Sequence, residues 1–279
     1  MEPPAFGPVW KGGGVSSATR QPTRVTGPAL IVGAAAVTGF VVLLRVVLWS
    51  PRGQAADESA MQTVVAGREA ELTLLSILGR VPLWSAVALA VVCLLLAARR
   101  RHWRAVLAAG IVIAGSNITT QVLKHDFLAR PDFGYGIHNS LPSGHVTVTA
   151  SVVAALLIVV PPGARATVAG LGTFATGLTG LSTIVAGWHR PGDVVAALLV
   201  TLAWCAVGVL VHGGRIARPR AVFATAASGV IAALLGVVLI GVRPVAGFAG
   251  FVEASLVLGA VAAASALAIA LMGWLGTDS

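Results

Sequence analysis

The sequence has little charge and few cysteines. Only 10% of the 279 residues are Asp, Glu, Lys or Arg, whereas soluble globular domains carry about 25%. Hydrophobic residues make up 57% of the chain, which excludes an ordinary soluble protein. The two cysteines, Cys93 and Cys205, both fall inside long apolar runs, so neither a disulfide framework nor a zinc knuckle is indicated. The composition therefore predicts an integral membrane protein.

The sequence contains several long apolar runs. A membrane-crossing helix needs roughly 20 apolar residues, because its backbone polar groups must be satisfied within the segment. Eight runs are predicted to be spans: 28–49, 82–98, 105–123, 146–161, 164–186, 192–212, 221–241 and 251–275. Pro161, Pro162 and Gly163 separate the fourth span from the fifth. The 33 glycines suit closely packed membrane helices.

The basic residues indicate how the chain is oriented in the membrane. A net charge of +9 would suggest nucleic acid in a soluble protein, but here the charges lie in loops, and no nucleic-acid partner is expected. With the N-terminus in the cytoplasm, most Lys and Arg residues, including the run 99–101, fall on the cytoplasmic side, as the positive-inside rule requires. Both termini are then cytoplasmic. Residue usage rich in Ala, Val, Gly and Arg favours a bacterial plasma membrane.

Three polar segments interrupt the apolar pattern. They read KHDFLARPDFG at 124–134, HNSLPSGH at 138–145 and GWHRPGD at 187–193. In the predicted topology all three emerge on the same, extracytoplasmic face. Ionisable groups at a membrane boundary are costly unless they are paired or solvated, and they are functional candidates by default.

The first two segments offer the elements of an anion site. Ser143 and Gly144 stand at a predicted helix start, where free N–H groups and a partial positive charge favour a phosphate. Gly144 lets a ligand approach its amide without a Cβ in the way. Lys124 and Arg130 would neutralise the phosphate oxygens, and the arginine can bind two of them.

Histidines supply the predicted chemistry. His189 and Asp193 are four residues apart, so the carboxylate can accept a proton from one ring nitrogen and leave the other nucleophilic. An alternative interpretation is that Asp193 only caps a helix beginning at Pro191. His145 has the pKa range needed to protonate a leaving oxygen at neutral pH.

At these residues the chain resembles the type 2 phosphatidic acid phosphatase superfamily, which includes bacterial lipid phosphatases and vanadium haloperoxidases. Its signatures are a Lys followed by Arg-Pro, then Pro-Ser-Gly-His, then Ser-Arg followed by a His and an Asp. Residues 142–145 reproduce the second signature, and His189 and Asp193 match the end of the third. The resemblance implies that His189 becomes phosphohistidine, Asp193 orients it, and His145 is the general acid.

The resemblance also implies the rest of the site and the fold. Phosphate would be held by Lys124, Arg130, Ser143 and Gly144, with no metal or other cofactor. We expect an all-α, polytopic membrane helical bundle with a flexible cytoplasmic tail at 1–27. A six-span phosphatase-like core at 28–212 and an additional transmembrane pair at 213–279 would complete it.

Two departures from the family pattern bear on activity. Five residues rather than six separate Lys124 from Arg130, and Thr183 stands where the third signature has its arginine. Arg190 is a candidate substitute for the missing charge. The preferred function is a membrane phosphatase that acts on a lipid phosphate or polyprenyl (pyro)phosphate through a phosphohistidine. The same residues would serve phosphotransfer to an acceptor other than water. The alternative is a catalytically weak or silent member that binds phosphorylated lipid or supports partner proteins.

Overall fold

The chain folds into a bundle of α-helices, which confirms the predicted all-α class. The computed structural model describes residues 24–64, 88, 91, 95, 103–135, 140–216, 220–239 and 247–278. Within them the α-helices are α1 (Thr26–Leu43), α2 (Pro51–Val64), α3 (Trp103–Val122), α4 (Gly144–Val159), α5 (Pro162–Val185), α6 (Pro191–His212), α7 (Arg220–Leu239) and α8 (Gly247–Leu275). Short π-helical turns, Leu44–Leu48 and Leu123–Phe127, extend α1 and α3.

The helices are those of a multi-pass membrane protein. In the described part of the chain, six helical segments are long and apolar enough to cross a bilayer: α1 and α3 with their π-helical turns, α5, α6, α7 and α8. Helix α4 has 16 residues, or about 24 Å at 1.5 Å per residue, and it packs against α3, α5 and α6 inside the bundle. These seven helices match predicted spans. Of the remaining predicted span, 82–98, the structure describes residues 88, 91 and 95, which are helical.

Proline and glycine set the helix boundaries. Pro161 is the N-cap of α5 and Pro162 its first residue, a position where the missing N–H costs nothing. The predicted break between the fourth and fifth spans is therefore confirmed. Gly187 and Gly213 follow α5 and α6 with φ angles of 71° and 76°, positive values that glycine adopts readily because it has no Cβ.

The bundle has two distinct ends. At one end, α1, α3 and α5 finish while α4 and α6 begin. At the other end, Arg215–Ile216 pairs antiparallel with Thr277–Asp278, and the Val25 N–H donates to the carbonyl of Gly214 at 3.2 Å. The first and last described residues therefore lie together, away from the end where the polar segments emerge.

Helices α7 and α8 pack directly onto the preceding helices. Buried side chains of α5, α6, α7 and α8 belong to one hydrophobic cluster, and α8 also packs against α2. The predicted tail at 1–27 lies outside the described residues except for its last four. The predicted division of the chain at residue 213 stays a prediction.

The crossing of α5 and α7 depends on two glycines. A Cβ added to Gly229 would lie 2.1 Å from the carbonyl oxygen of Gly170 and 3.1 Å from the backbone nitrogen of Phe174. Both are backbone atoms, so the helices would have to separate. We expect Gly229→Ala to lower the free energy of unfolding by about 1–3 kcal/mol, the usual cost of overpacking, measured by thermal unfolding in detergent.

Gly259 on α8 is the matched control. Nothing lies within 4 Å of a Cβ built at this position. Gly259→Ala is therefore expected to leave stability unchanged or to raise it by up to about 1 kcal/mol, because alanine is the better helix former. Equal effects of the two substitutions would contradict the proposed importance of the α5–α7 crossing.

Candidate active site

The three polar segments meet at one end of the bundle. The π-helical turn after α3, the start of α4 and the loop before α6 all lie at this end. The ring centroids of His145 and His189 are 6.2 Å apart, with an edge-to-face angle of 70°. The His145 ring also lies 5.7 Å from the ring of Trp188. Residues 44 positions apart in the sequence thus come close enough to contact a common tetrahedral anion.

The N-terminus of α4 is built as the sequence predicts. Ser143 is the N-cap, and its Oγ accepts the Val146 N–H at 3.5 Å. The Ser143 N–H donates to the carbonyl of Asp193 at 3.0 Å, which ties the start of α4 to the start of α6. The nearest atom to a Cβ built on Gly144 would be Gln121 Nε2, at 3.8 Å. The first turn of α4 is thus open beside Gly144.

Asp193 contacts the ring of His189. Helix α6 begins at Pro191, and the His189 Nδ1 lies 3.2 Å from Asp193 Oδ2. The same oxygen accepts the Arg190 N–H at 3.0 Å and a hydrogen bond from the Ser140 hydroxyl. Asp193 therefore caps the helix and contacts the imidazole at once, so the two sequence interpretations are compatible. A proton on Nδ1 leaves Nε2 as the unprotonated nitrogen.

Arg130 is buried beside this pair. The residue is 5% exposed, and its Nη2 lies 4.0 Å from Asp193 Oδ1. Nε, Nη1 and Nη2 have no hydrogen-bond partner among the described groups. Burial and the nearby charge of Arg190 lower the pKa of Arg130, while Asp193 and Asp57 oppose this shift; arginine nevertheless stays charged. A buried cation with unused donors is suited to an oxyanion ligand.

Lys124 lies in the π-helical turn Leu123–Phe127. The side chain is half-buried and close enough to His145 for the two to interact electrostatically. The shortened spacing to Arg130 therefore falls in a stretch that is not α-helical. The rotation of about 100° per residue that holds for an α-helix does not apply to this turn.

A substitute for the missing arginine would need a positive charge free to bind phosphate, but Arg190 is already paired and Thr183 is neutral. The Arg190 Nε donates to Glu58 Oε2 at 2.6 Å, and Nη2 donates to the carbonyl of Tyr135 at 3.0 Å. Thr183 is fully buried, and its carbonyl accepts the N–H groups of Trp188 and His189 at 3.0 and 3.2 Å. Where the family has an arginine, this chain has a residue whose backbone anchors the loop of the predicted nucleophile.

Sequence reasoning missed several residues that contact the site. Asp57, Gln54 and Glu58 of α2 reach the site loops, Ser140 donates to Asp193, and Trp188 lies against His145. No spacing rule indicates the α2 contacts, because they span up to 135 residues of sequence. Ser140 and Trp188, by contrast, lie inside the polar segments and could have been considered.

The described polar residues of the first loop are not grouped as metal ligands. His125 and Asp126 are exposed, and Asp132 accepts the N–H of Gly134 in a turn. His138 and Asn139 lie outside the described residues. Within the described part of the chain, no group of three or more His, Cys, Asp and Glu side chains is placed to hold a metal ion.

Part of the chain matches a known family. Residues 105–217 match the family model of the PAP2 superfamily. The matched segment covers α4 to α6, all but the first two residues of α3, and all of the predicted site residues. This confirms the resemblance seen in the signatures, and members of this superfamily are phosphatases acting on phosphate esters. Comparisons with curated proteins and with solved structures gave no match.

Proposed function

We propose that this protein is a membrane phosphatase that hydrolyses a lipid phosphate or a polyprenyl (pyro)phosphate through a phosphohistidine intermediate. The observation that carries the proposal is the placement of the His145 ring beside the His189–Asp193 pair, with buried Arg130 4.0 Å from Asp193. The guanidinium nitrogens of Arg130 have no hydrogen-bond partner among the described groups. Phosphoryl transfer demands an aligned nucleophile and stabilised charge on the transferred group. This arrangement supplies both.

The proposed reaction has two steps. His189 Nε2 attacks phosphorus, the P–O bond to the lipid breaks, and His145 gives its proton to the departing oxygen. A water molecule then attacks the phosphohistidine, His145 takes the proton from that water, and the N–P bond breaks to release phosphate. Arg130, Lys124, Ser143 and Gly144 hold the phosphate oxygens throughout. An alcohol in place of water would make the second step a phosphotransfer.

We place the site on the extracytoplasmic side of a bacterial plasma membrane. The proposal is supported by the positive-inside distribution of Lys and Arg. It is also supported by the position of residues 25 and 277–278, which lie together at the end of the bundle away from the site. Both termini would then be cytoplasmic. A site at the membrane boundary suits a substrate whose phosphate projects from the bilayer.

A silent family member is the second candidate. The presence of Thr183 in place of the family arginine favours a silent protein. Arg190 already binds Glu58 and Tyr135, so its charge is not free to replace that arginine. Such a protein would bind a phosphorylated lipid without cleaving it. Its Arg130 would still have unused hydrogen-bond donors for an anion, so binding alone does not separate the two candidates.

Phosphate release from purified protein separates them. We expect the protein in detergent to release phosphate from at least one of phosphatidic acid, a polyprenyl phosphate and a polyprenyl pyrophosphate. His145→Ala should lower that release about 10²- to 10⁴-fold, the usual contribution of a general acid. Its effect should shrink for an aryl phosphate whose leaving group needs no proton. Inactivity of the wild-type protein on every substrate would favour the silent reading.

A further inference from the structure

Helix α2 lies outside the segment that matches the family model, yet it contacts the site loops. Three of its polar side chains, Gln54, Asp57 and Glu58, share one face because they are three and four residues apart. Gln54 Nε2 donates to the carbonyl of Pro131 at 3.1 Å, beside Arg130. Glu58 Oε2 accepts from Arg190 Nε at 2.6 Å. Gln54 and Glu58 therefore each bind part of a site loop.

Asp57 makes the deepest of these contacts. It is 6% exposed, and its Oδ1 accepts the N–H of Gly192 at 2.8 Å. A Cβ on Gly192 would lie 2.8 Å from Asp57 Oδ2, so the glycine makes room for the carboxylate. Gly192 stands between Pro191 and Asp193 in the first turn of α6. Asp57 thus binds the backbone of the residue just before Asp193, three positions after His189.

The charge of Asp57 also acts on Arg130. The buried carboxylates of Asp57 and Asp193 therefore both attract the positive charge of buried Arg130. Asp57 Oδ2 has no hydrogen-bond partner among the described groups. Burial, with the charge of Asp193, raises the pKa of Asp57 to about 7, against the opposing effects of the Gly192 hydrogen bond, Arg130 and Arg190. Asp57 can accordingly change charge near neutral pH.

Few other charges among the described residues lie on the elements packed against α2. The elements packed against α2 are the turn Leu44–Leu48, α5, α6 and α8. Their charged or basic residues are Arg45, Arg165, Asp193, His212 and Glu253. Arg45 is exposed and stacks on Trp49, Glu253 is exposed, and Arg165 and His212 lie near the opposite end of the bundle. Asp193 is the member of this set that faces Asp57.

We propose that Asp57 is a positioning residue of the phosphate site, which fixes the first turn of α6 through Gly192 and sets how strongly Arg130 attracts a tetrahedral dianion. This inference rests on the proposed function. With Asp57 neutral, more of the positive charge of Arg130 is available to the ligand. With Asp57 ionised, its carboxylate competes for the same charge. Binding of a dianion should therefore be accompanied by uptake of a proton from solvent onto Asp57.

Sulfate is the appropriate probe, because it is a tetrahedral dianion that does not titrate near neutral pH. We expect calorimetric sulfate affinity of the wild-type protein to fall between about pH 6 and about pH 8. Asp57→Asn keeps an oxygen for the Gly192 N–H but cannot ionise. At about pH 8 it should bind sulfate roughly three- to tenfold more tightly than wild type, since one pKa unit corresponds to a factor of ten. Comparison of the two proteins at each pH removes any pH effect that they share.

Two further variants separate charge from position. Asp57→Ala removes the hydrogen bond to Gly192 as well, so it should lower kcat for phosphate release more than Asp57→Asn does. Glu253→Gln is the matched control: it removes one exposed carboxylate from α8, which packs against α2, and should leave sulfate affinity unchanged. Equal kcat values for Asp57→Ala and Asp57→Asn would overturn the positioning role.

The outcomes distinguish this inference from the proposed function. Failure of the wild-type protein to bind sulfate at any pH would overturn the phosphate site itself. Sulfate binding with the same pH dependence in wild type and Asp57→Asn would overturn only the role of Asp57. Titration of wild type at about pH 7 in buffers of different ionisation enthalpy needs no variant. Binding without proton uptake in those buffers would overturn the coupling.

Discussion

Substitution of His189 by alanine is expected to lower phosphate release at least about a thousandfold, because the nucleophile of a covalent mechanism has no substitute in the site. Asp193 holds the Nδ1 side of this ring at 3.2 Å, and the His145 ring is 6.2 Å away. His145 lacks a carboxylate partner among the described contacts, so it cannot take over the role of His189. The measurement is phosphate release in detergent at saturating lipid phosphate.

A rapid-quench experiment tests the intermediate directly. Wild-type protein mixed with labelled substrate should retain label in an acid-labile, alkali-stable form, as expected for phosphohistidine, whereas His189→Ala should retain none. His212→Gln is the matched control, because His212 is the last residue of the same helix, α6, at the end away from the site. Full activity of His189→Ala, or label retained by it, would exclude the proposed nucleophile.

The sequence predicts the helices and the local motifs well, for physical reasons. Apolar runs bounded by Pro and Gly define the membrane helices almost uniquely, since unpaired backbone groups are too costly in a bilayer. Ser143 as an N-cap and Pro191 as a first helical residue follow from the backbone geometry of those residues. The pairing of His189 with Asp193 follows from their spacing of four. All of these features depend on residues close in sequence.

Contacts between distant residues could not be predicted in the same way. Asp57 is separated from Gly192 by 135 positions, and nothing in its surroundings in the sequence indicates a buried carboxylate. The partner of Arg190, Glu58, is 132 positions away, so the sequence left Arg190 as a candidate phosphate ligand. The π-helical turn at Lys124 was likewise unpredictable, since its extra width depends on tertiary packing rather than on local propensity.

Arg130 should be the second most sensitive position. Its Nε, Nη1 and Nη2 have no partner among the described groups, and it is the fully buried cation nearest to Asp193. Lysine at this position keeps a positive charge but loses the planar fork that binds two oxygens. We therefore expect Arg130→Lys to lower kcat/KM at least about a hundredfold, a loss of about 2.7 kcal/mol in transition-state stabilisation.

The choice of lysine separates catalysis from folding. A neutral residue would leave Asp57 and Asp193 buried without a compensating charge, which is strongly destabilising, whereas lysine retains that compensation. The melting temperature of Arg130→Lys should consequently stay close to that of wild type while its activity and its sulfate affinity fall together. Arg52→Lys, at an exposed position in the first turn of α2, should change none of the three. Unchanged activity in Arg130→Lys would mean that Arg130 serves only to balance the buried carboxylates, and the oxyanion would then have to be bound elsewhere.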